Sequence, residues 1–117
     1  MNQVADCLFC RIASGQIPAE IVAEGDEWLA FHDVSPQAPV HVLIIPRSHV
    51  ESVAALDGDS VVLAGRLLTA AADVARALGV SDDGYRLVTN RGARAGQSVF
   101  HLHVHLLAGR DMAWPPG

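Results

Sequence analysis

The sequence contains no lysine: all eight of its basic residues are arginine. That absence excludes a phosphate-binding lysine of the Walker type, a Schiff-base lysine and a lysine general base together. Cysteine is scarce as well. Cys7 and Cys10 stand alone, too close in sequence to staple a fold by closing a long loop. A secreted disulfide scaffold is therefore excluded, and a reducing, cytoplasmic setting is expected. No apolar run approaches the roughly 20 residues of a membrane helix, and Met1 to Cys10 shows no basic start leading into an apolar stretch. Neither a membrane span nor a signal peptide is predicted. Positive charge is in deficit, and a net charge of −5 argues against a protein that coats nucleic acid or binds an anionic membrane surface. Internal repeats and low-complexity tracts are missing too.

What is present reads as one domain, residues 1–117, since the length does not favour two. Half the residues are hydrophobic and 18% charged, so a packed core is expected and disorder is not. The arginine-only, alanine-rich composition looks like a high-GC bacterial coding bias.

Ala19–Glu24 and Trp28–Asp33 read as short strands, and Ser35-Pro36-Gln37-Ala38-Pro39 as a turn, because each proline removes a donor and restricts the residue before it. Val40–Ile45 is β-branched and almost continuously apolar, the pattern of a well-buried strand that Pro46 stops. Asp57-Gly58-Asp59-Ser60 offers an N-cap cluster, after which Val61, Ala64, Leu68, Ala71, Ala75 and Leu78 recur at three- and four-residue spacing up to Gly79. The spacing predicts a helix of roughly 30 Å at ~1.5 Å per residue. Tyr85–Asn90 reads as a further strand, Arg91–Gln97 as a glycine-rich loop, and Ser98–Leu107 as the last strand. Short strands around one long helix predict an α+β domain.

His101-Leu102-His103-Val104-His105 places three imidazoles at period two. In a strand all three share one face, with Phe100, Leu102, Val104 and Leu106 on the other. Two chemistries suit such a row. Alternate histidines hold a metal ion well. Imidazole, with a pKa of about 6.5, is also a competent nucleophile near neutrality. The preceding segment, Asn90 to Ser98, combines glycines with hydroxyl and amide donors, so its backbone N–H groups can approach a phosphate closely. Phosphoryl chemistry is the economical reading of the two together. A zinc catalyst built on the three histidines would need an activating base, and the last glutamate in the chain is Glu51.

Gly96-Gln97-Ser98-Val99-Phe100-His101-Leu102-His103-Val104-His105-Leu106-Leu107 resembles the signature of the histidine triad superfamily, His-x-His-x-His followed by two apolar residues. Phe31 to Pro39, Ile45-Pro46-Arg47-Ser48-His49 and the ending Met112 to Gly117 resemble its nucleotide-binding (Hint) branch, and the similarity runs from Cys7 to Gly117. The resemblance implies the histidine triad fold, an antiparallel sheet of about five strands with the Ser60–Leu78 helix. It also implies a homodimer formed through that helix and the Tyr85–Asn90 strand. The implied activity is that of a purine nucleoside phosphoramidase. Such an enzyme cleaves the P–N bond of adenosine 5′-phosphoramidates through a nucleotidyl-histidine and releases AMP and an amine. Its substrates are purine nucleotide (AMP or GMP) conjugates, and catalysis needs no cofactor.

Carried over by position, His103 is the nucleophile, and its second ring nitrogen has the main chain or His41 as candidate partner. His105 contacts the phosphate, Ser98 the leaving amine or bridging atom, and the Val99 backbone and Asn90 add polar contacts. Asp33 is assigned the ribose hydroxyls, although an Asp between a strand and a proline turn also commonly initiates the turn. Phe9, Ile17, Phe31 and Val34 correspond to base-contacting side chains, and as apolar walls they predict weak purine selectivity. Tails like Trp114-Pro115-Pro116-Gly117 reach in the family towards the partner's active site and tune leaving-group preference.

Cys7-Leu8-Phe9-Cys10 has the spacing of half a zinc site. With His103 and His105 committed and His41 beside the active site, His49 and His101 are taken to complete it. Related superfamily members bind structural zinc through such a Cys-Cys-His-His set, whereas others of the Hint branch lack the cysteines and fold without metal. The alternative is two reduced, partly buried thiols. Two rival functions remain open: hydrolysis of dinucleoside polyphosphates or related nucleotidyl esters, and a nucleotide-binding regulatory role with incidental turnover.

Overall fold

The computed structural model describes residues 3–117. In chain order these form helix α1 (Leu8–Ala13), strands β1 (Ile21–Glu24), β2 (Trp28–His32) and β3 (Val40–Pro46), the long helix α2 (Val61–Ala77), then β4 (Tyr85–Val88) and β5 (Val104–Ala108). The five strands make one antiparallel sheet in the order β1-β2-β3-β5-β4. The expected α+β arrangement of five strands and one long helix is therefore observed.

The almost unbroken apolar character of β3 has a simple cause, since the strand is covered on both faces. Val42 and Ile44 join Ala30, Val104 and Leu106 beneath α2. Leu43 and Ile45 turn the other way, to Phe9, Leu29 and Phe31. Opposed residues of an antiparallel pair share a face. The register Leu43↔His105 therefore puts His105 on the side away from α2, with His41 two residues along β3 on that same side.

Helix α2 ends as expected. Gly79 takes φ +74°, and the N–H groups of Gly79 and Val80 close back on Arg76 and Ala75. Its start and its seam differ from expectation. Asp57 caps a separate 3₁₀ turn, Gly58–Ser60, while Ser60 makes no side-chain bond to the helix. The buried stripe is Leu67, Ala70, Ala71, Val74 and Ala75, leaving Val61 and Leu68 66% and 57% exposed. Apolar residues surround this helix, so its spacing fits two stripes. The alanine-rich one wins because small side chains let the helix lie close on the β-branched sheet.

The last strand is shorter than predicted: Ser98–His103 precedes β5 without pairing in the sheet. Gly92 and Gly96, both at positive φ, carry the chain away from β4, and the Leu102 N–H bonds Val50 O instead (2.6 Å). The alternation of side chains survives, with Leu102, Val104 and Leu106 in the core beneath α2. Phe100 departs from it and is 47% exposed. Helix α1 is an addition. Six residues carry too little periodicity to declare it, and Cys7 caps it by accepting from the Cys10 N–H (3.4 Å). No helix among the described residues is long and apolar enough to cross a membrane.

Candidate active site

The histidine row meets α1, β2 and β3 on the sheet face away from α2, and hydrogen bonds fix the tautomer of each ring. His103 Nδ1 lies 2.7 Å from the carbonyl oxygen of His101, which can only accept. Nδ1 therefore carries the proton, and in the neutral ring Nε2 is left with a lone pair. Of the two partners open to this ring from sequence, the main chain is the one used. His41 Nδ1 accepts from the Gln37 N–H (3.0 Å), so its Nε2–H donates to His105 Nδ1 (2.8 Å). That leaves His105 with a proton on Nε2. The two rings, 4.9 Å apart, thus differ in role: His103 offers a lone pair and His105 a donor.

Burial sets the charge of His105 and His41. Desolvation pushes His105 down to about 4, helped by His103 and His41 and opposed by Asp33. Desolvation also lowers His41, again opposed by Asp33. Both imidazoles are neutral at pH 7, which the donor–acceptor chain from Gln37 requires.

A cavity of about 920 Å³ opens over these rings. Its walls include His41, His103, His105, Ser98 and Val99, and also Phe9, Ile17, Phe31, Asp33 and Val34. Every candidate nucleotide-site residue except Asn90 is brought to this cavity. Asn90 adjoins the wall at Gly96, its Nδ2 3.8 Å from where a methyl group on Gly96 would lie. Phe9 meets the His103 ring edge-on at 5.1 Å and Phe31 at 5.5 Å, so the apolar end of the cavity joins His103 without a gap. Asp33 does what its position between strand and proline turn suggests, accepting from the Ser35 N–H (2.8 Å), and its second oxygen lies 3.5 Å from His41 Nε2. The main-chain N–H groups of Ser98 and Val99 meet no acceptor among the described residues. They are unpaired donors on two residues that line the cavity together with His105.

Gln97 was not singled out in the sequence. Only 4% exposed, it accepts from Gly92 N (2.8 Å) and donates to Glu51 O (2.8 Å) and Val99 O (3.2 Å), which ties the loop down. Glu20 and His32, at the cavity rim, were missed as well. A glutamine in a glycine-rich loop and a histidine at a strand end carry no signal of their own. Trp114 is 82% exposed, and Arg86 of β4 binds Ala113 O (2.9 Å) and lies 5.9 Å from the Trp114 ring.

Cys7, Cys10, His49 and His101 come together: one ligand atom from each lies within 4.8 Å of all the others. His101 Nδ1 is 3.3 Å from Cys7 Sγ and 3.5 Å from Cys10 Sγ, and His49 Nδ1 is 3.5 Å from Cys10 Sγ. Tetrahedral bonds of about 2.3 Å to sulfur and about 2.0 Å to nitrogen imply S···N separations near 3.5 Å, so the set fits such an ion. The buried His101 ring donates from Nε2 to Pro46 O (2.8 Å), which leaves Nδ1 as the lone pair facing the thiols. Its carbonyl is the group that holds His103.

A sequence model described as the HIT domain matches residues 14–112. An uncharacterized HIT-like protein of Synechocystis sp. is 51% identical over 112 residues, 96% of this chain and 97% of that one. Among solved structures, a HIT family hydrolase from Legionella pneumophila superposes with a TM-score of 0.94 at 49% identity, covering 96% of this chain and 100% of that one. A HIT family hydrolase from Clostridium thermocellum gives 0.92 at 43% identity, over 95% and 96%.

Proposed function

The chain belongs to the HIT domain family, and from that premise we propose that it hydrolyses the P–N bond of purine nucleoside 5′-phosphoramidates, with His103 as the nucleophile. The observation that carries this reading is the 2.7 Å bond from His103 Nδ1 to His101 O, which presents Nε2 as a lone pair beside the Nε2–H of His105. Relatives called HIT family hydrolases support the hydrolytic class.

The reaction needs two in-line displacements at one phosphorus. In the first, His103 Nε2 forms a bond to phosphorus as the P–N bond breaks. The departing nitrogen takes a proton from solvent, and the Ser98 hydroxyl hydrogen-bonds that nitrogen as it leaves. In the second, water attacks phosphorus from the side the amine has left, gives a proton to solvent in place of the one the amine took, and displaces His103, so that AMP and amine are the only products. His105 Nε2–H and the N–H groups of Ser98 and Val99 receive the charge that builds on the phosphoryl oxygens. Phe9, Ile17, Phe31 and Val34 sandwich the base without directional bonds, and the Asp33 carboxylate faces the ribose. Asn90, beside Gly96 of the cavity wall, adds a further polar contact.

The sulfur–nitrogen set fits a structural zinc, held by Cys7, Cys10, His49 and His101. When bound, such an ion supplies a cross-link, not chemistry at phosphorus. Through His101 it steadies the carbonyl that orients His103. The same family reading includes a homodimer, which the unpaired outer edge of β4 and the exposed Val61, Val62 and Leu68 of α2 support.

The test is AMP release from adenosine 5′-phosphoramidate by wild type and His103→Ala, each with and without a chelator. Turnover that survives chelation and disappears in the variant is the expected result. Wild type that releases no AMP, or a variant that matches it, overturns the reading.

A further inference from the structure

A second groove, of about 440 Å³, adjoins the nucleotide cavity and shares Leu8, Ser98 and Val99 with it. Beyond those residues Val4 and Phe100 are apolar, Asp6 and Glu51 are acidic, and Cys7 and His49 belong to the sulfur–nitrogen set. Val4, Leu8 and Phe100 are 37%, 45% and 47% exposed, so three large apolar side chains line one groove and still face water. The groove is also firmly built. Buried Gln97 binds Glu51 O and Val99 O with the same amide nitrogen, and Leu102 N binds Val50 O, so both walls are braced together.

Position and charge indicate what the groove is for. An in-line displacement expels its leaving group on the side of phosphorus opposite the entering His103 Nε2. On the proposed reaction that side is marked by Ser98, where the second groove begins. Two carboxylates beside an anion site repel the nucleotide, and no arginine lines this groove to offset them. They complement a cation instead.

We infer that this groove is the subsite for the departing amine, and that it selects amines whose apolar chain ends in a positive charge. The inference rests on the phosphoramidase reading and names the substrate class that the reading leaves open. Leu8 and Phe100 cover the chain, and Asp6 and Glu51 meet the distal cation.

The experiment compares three adenosine 5′-phosphoramidates: the unsubstituted compound, the n-hexylamine conjugate and the 1,6-diaminohexane conjugate. Partly exposed ion pairs each contribute a small factor, so wild type is expected to favour the diamine over the hexylamine conjugate about five- to tenfold in kcat/KM, less so at high salt. Asp6→Asn with Glu51→Gln reduces that preference to about twofold or less while cleavage of the unsubstituted compound is unchanged. Phe100→Ala slows cleavage of both chain-bearing substrates and spares the unsubstituted one. Equal treatment of the two chains by wild type, or a preference that persists in the double variant, overturns the subsite while the hydrolase reading stands. Failure of wild type to cleave even the unsubstituted compound overturns the hydrolase reading, and the subsite with it.

Discussion

Protonation of His105 links the site to stability, and its size follows from the structure. In the folded protein this imidazole is pushed down to about 4, first by burial, then by His103 and His41, with Asp33 opposing. In the unfolded chain it takes a proton near 6.5. Between those values the unfolded state binds more protons. The contribution of His105 to stability is therefore fully present above pH 6.5 and is lost as pH falls towards 4. For acidification from pH 7 to 4.5, linkage at 1.36 kcal/mol per unit gives a loss of about 2 kcal/mol from this group. His41, also lowered, adds to the loss with the same sign. The structural reason is direct: a proton on His105 Nδ1 would face the Nε2–H of His41 across 2.8 Å. Urea denaturation at the two pH values, with a chelator throughout, measures the effect in wild type and in His105→Asn, whose amide oxygen still accepts from His41. Wild type should lose about 2 kcal/mol more than the variant. Equal losses would refute the argument, and so would a larger loss in the variant.

Ser98→Ala should lower kcat for the phosphoramidate while leaving the Kd for AMP nearly unchanged; parallel losses in steady-state kinetics and calorimetry would remove Ser98 from the leaving-group side. Gln97→Leu leaves the Gly92 N–H and the Glu51 carbonyl without their partner, so the urea midpoint should reveal a loss of about 3 kcal/mol. A loss below about 0.5 kcal/mol, the range of an ordinary surface change, would contradict the bracing role. Chelation should lower the Tm of wild type purified with zinc but not that of Cys10→Ser, and unchanged wild type would count against the metal site.

The sequence was most legible where one residue pattern had one structural solution. An apolar run as dense as Val40–Ile45 can only be covered on both faces, and it is. Three histidines at period two share a side even though Ser98–His103 lies outside the sheet, because an extended chain alternates whether or not it is paired. The Cys7, Cys10, His49 and His101 set was legible by ligand chemistry, and the chain brings all four together. What could not be read depends on distant partners. The bond between His41 and His105 joins residues 64 apart, and the Gln37 N–H that sets its direction lies in a proline turn with no motif. The seam of α2 was misjudged because Val61 and Leu68 fit an apolar stripe as well as Leu67 and Val74 do, and only the shape of the sheet chooses. Asn90 enters the site reading by resemblance, and its side chain amide comes up against Gly96 of the cavity wall. Helix α1 is too short to announce itself, so the Cys-x-x-C spacing was visible while the helical turn that creates it was not.

The central claim is a covalent nucleotidyl intermediate on His103 Nε2, and the configuration at phosphorus tests it most directly. A single diastereomer of the adenosine 5′-phosphoramidate carrying sulfur in place of one phosphoryl oxygen, hydrolysed in ¹⁸O-water, gives a chiral product whose configuration can be assigned. Two displacements, by His103 and then by water, predict net retention. Net inversion would mean that water attacks phosphorus directly, and His103 would lose its place as nucleophile.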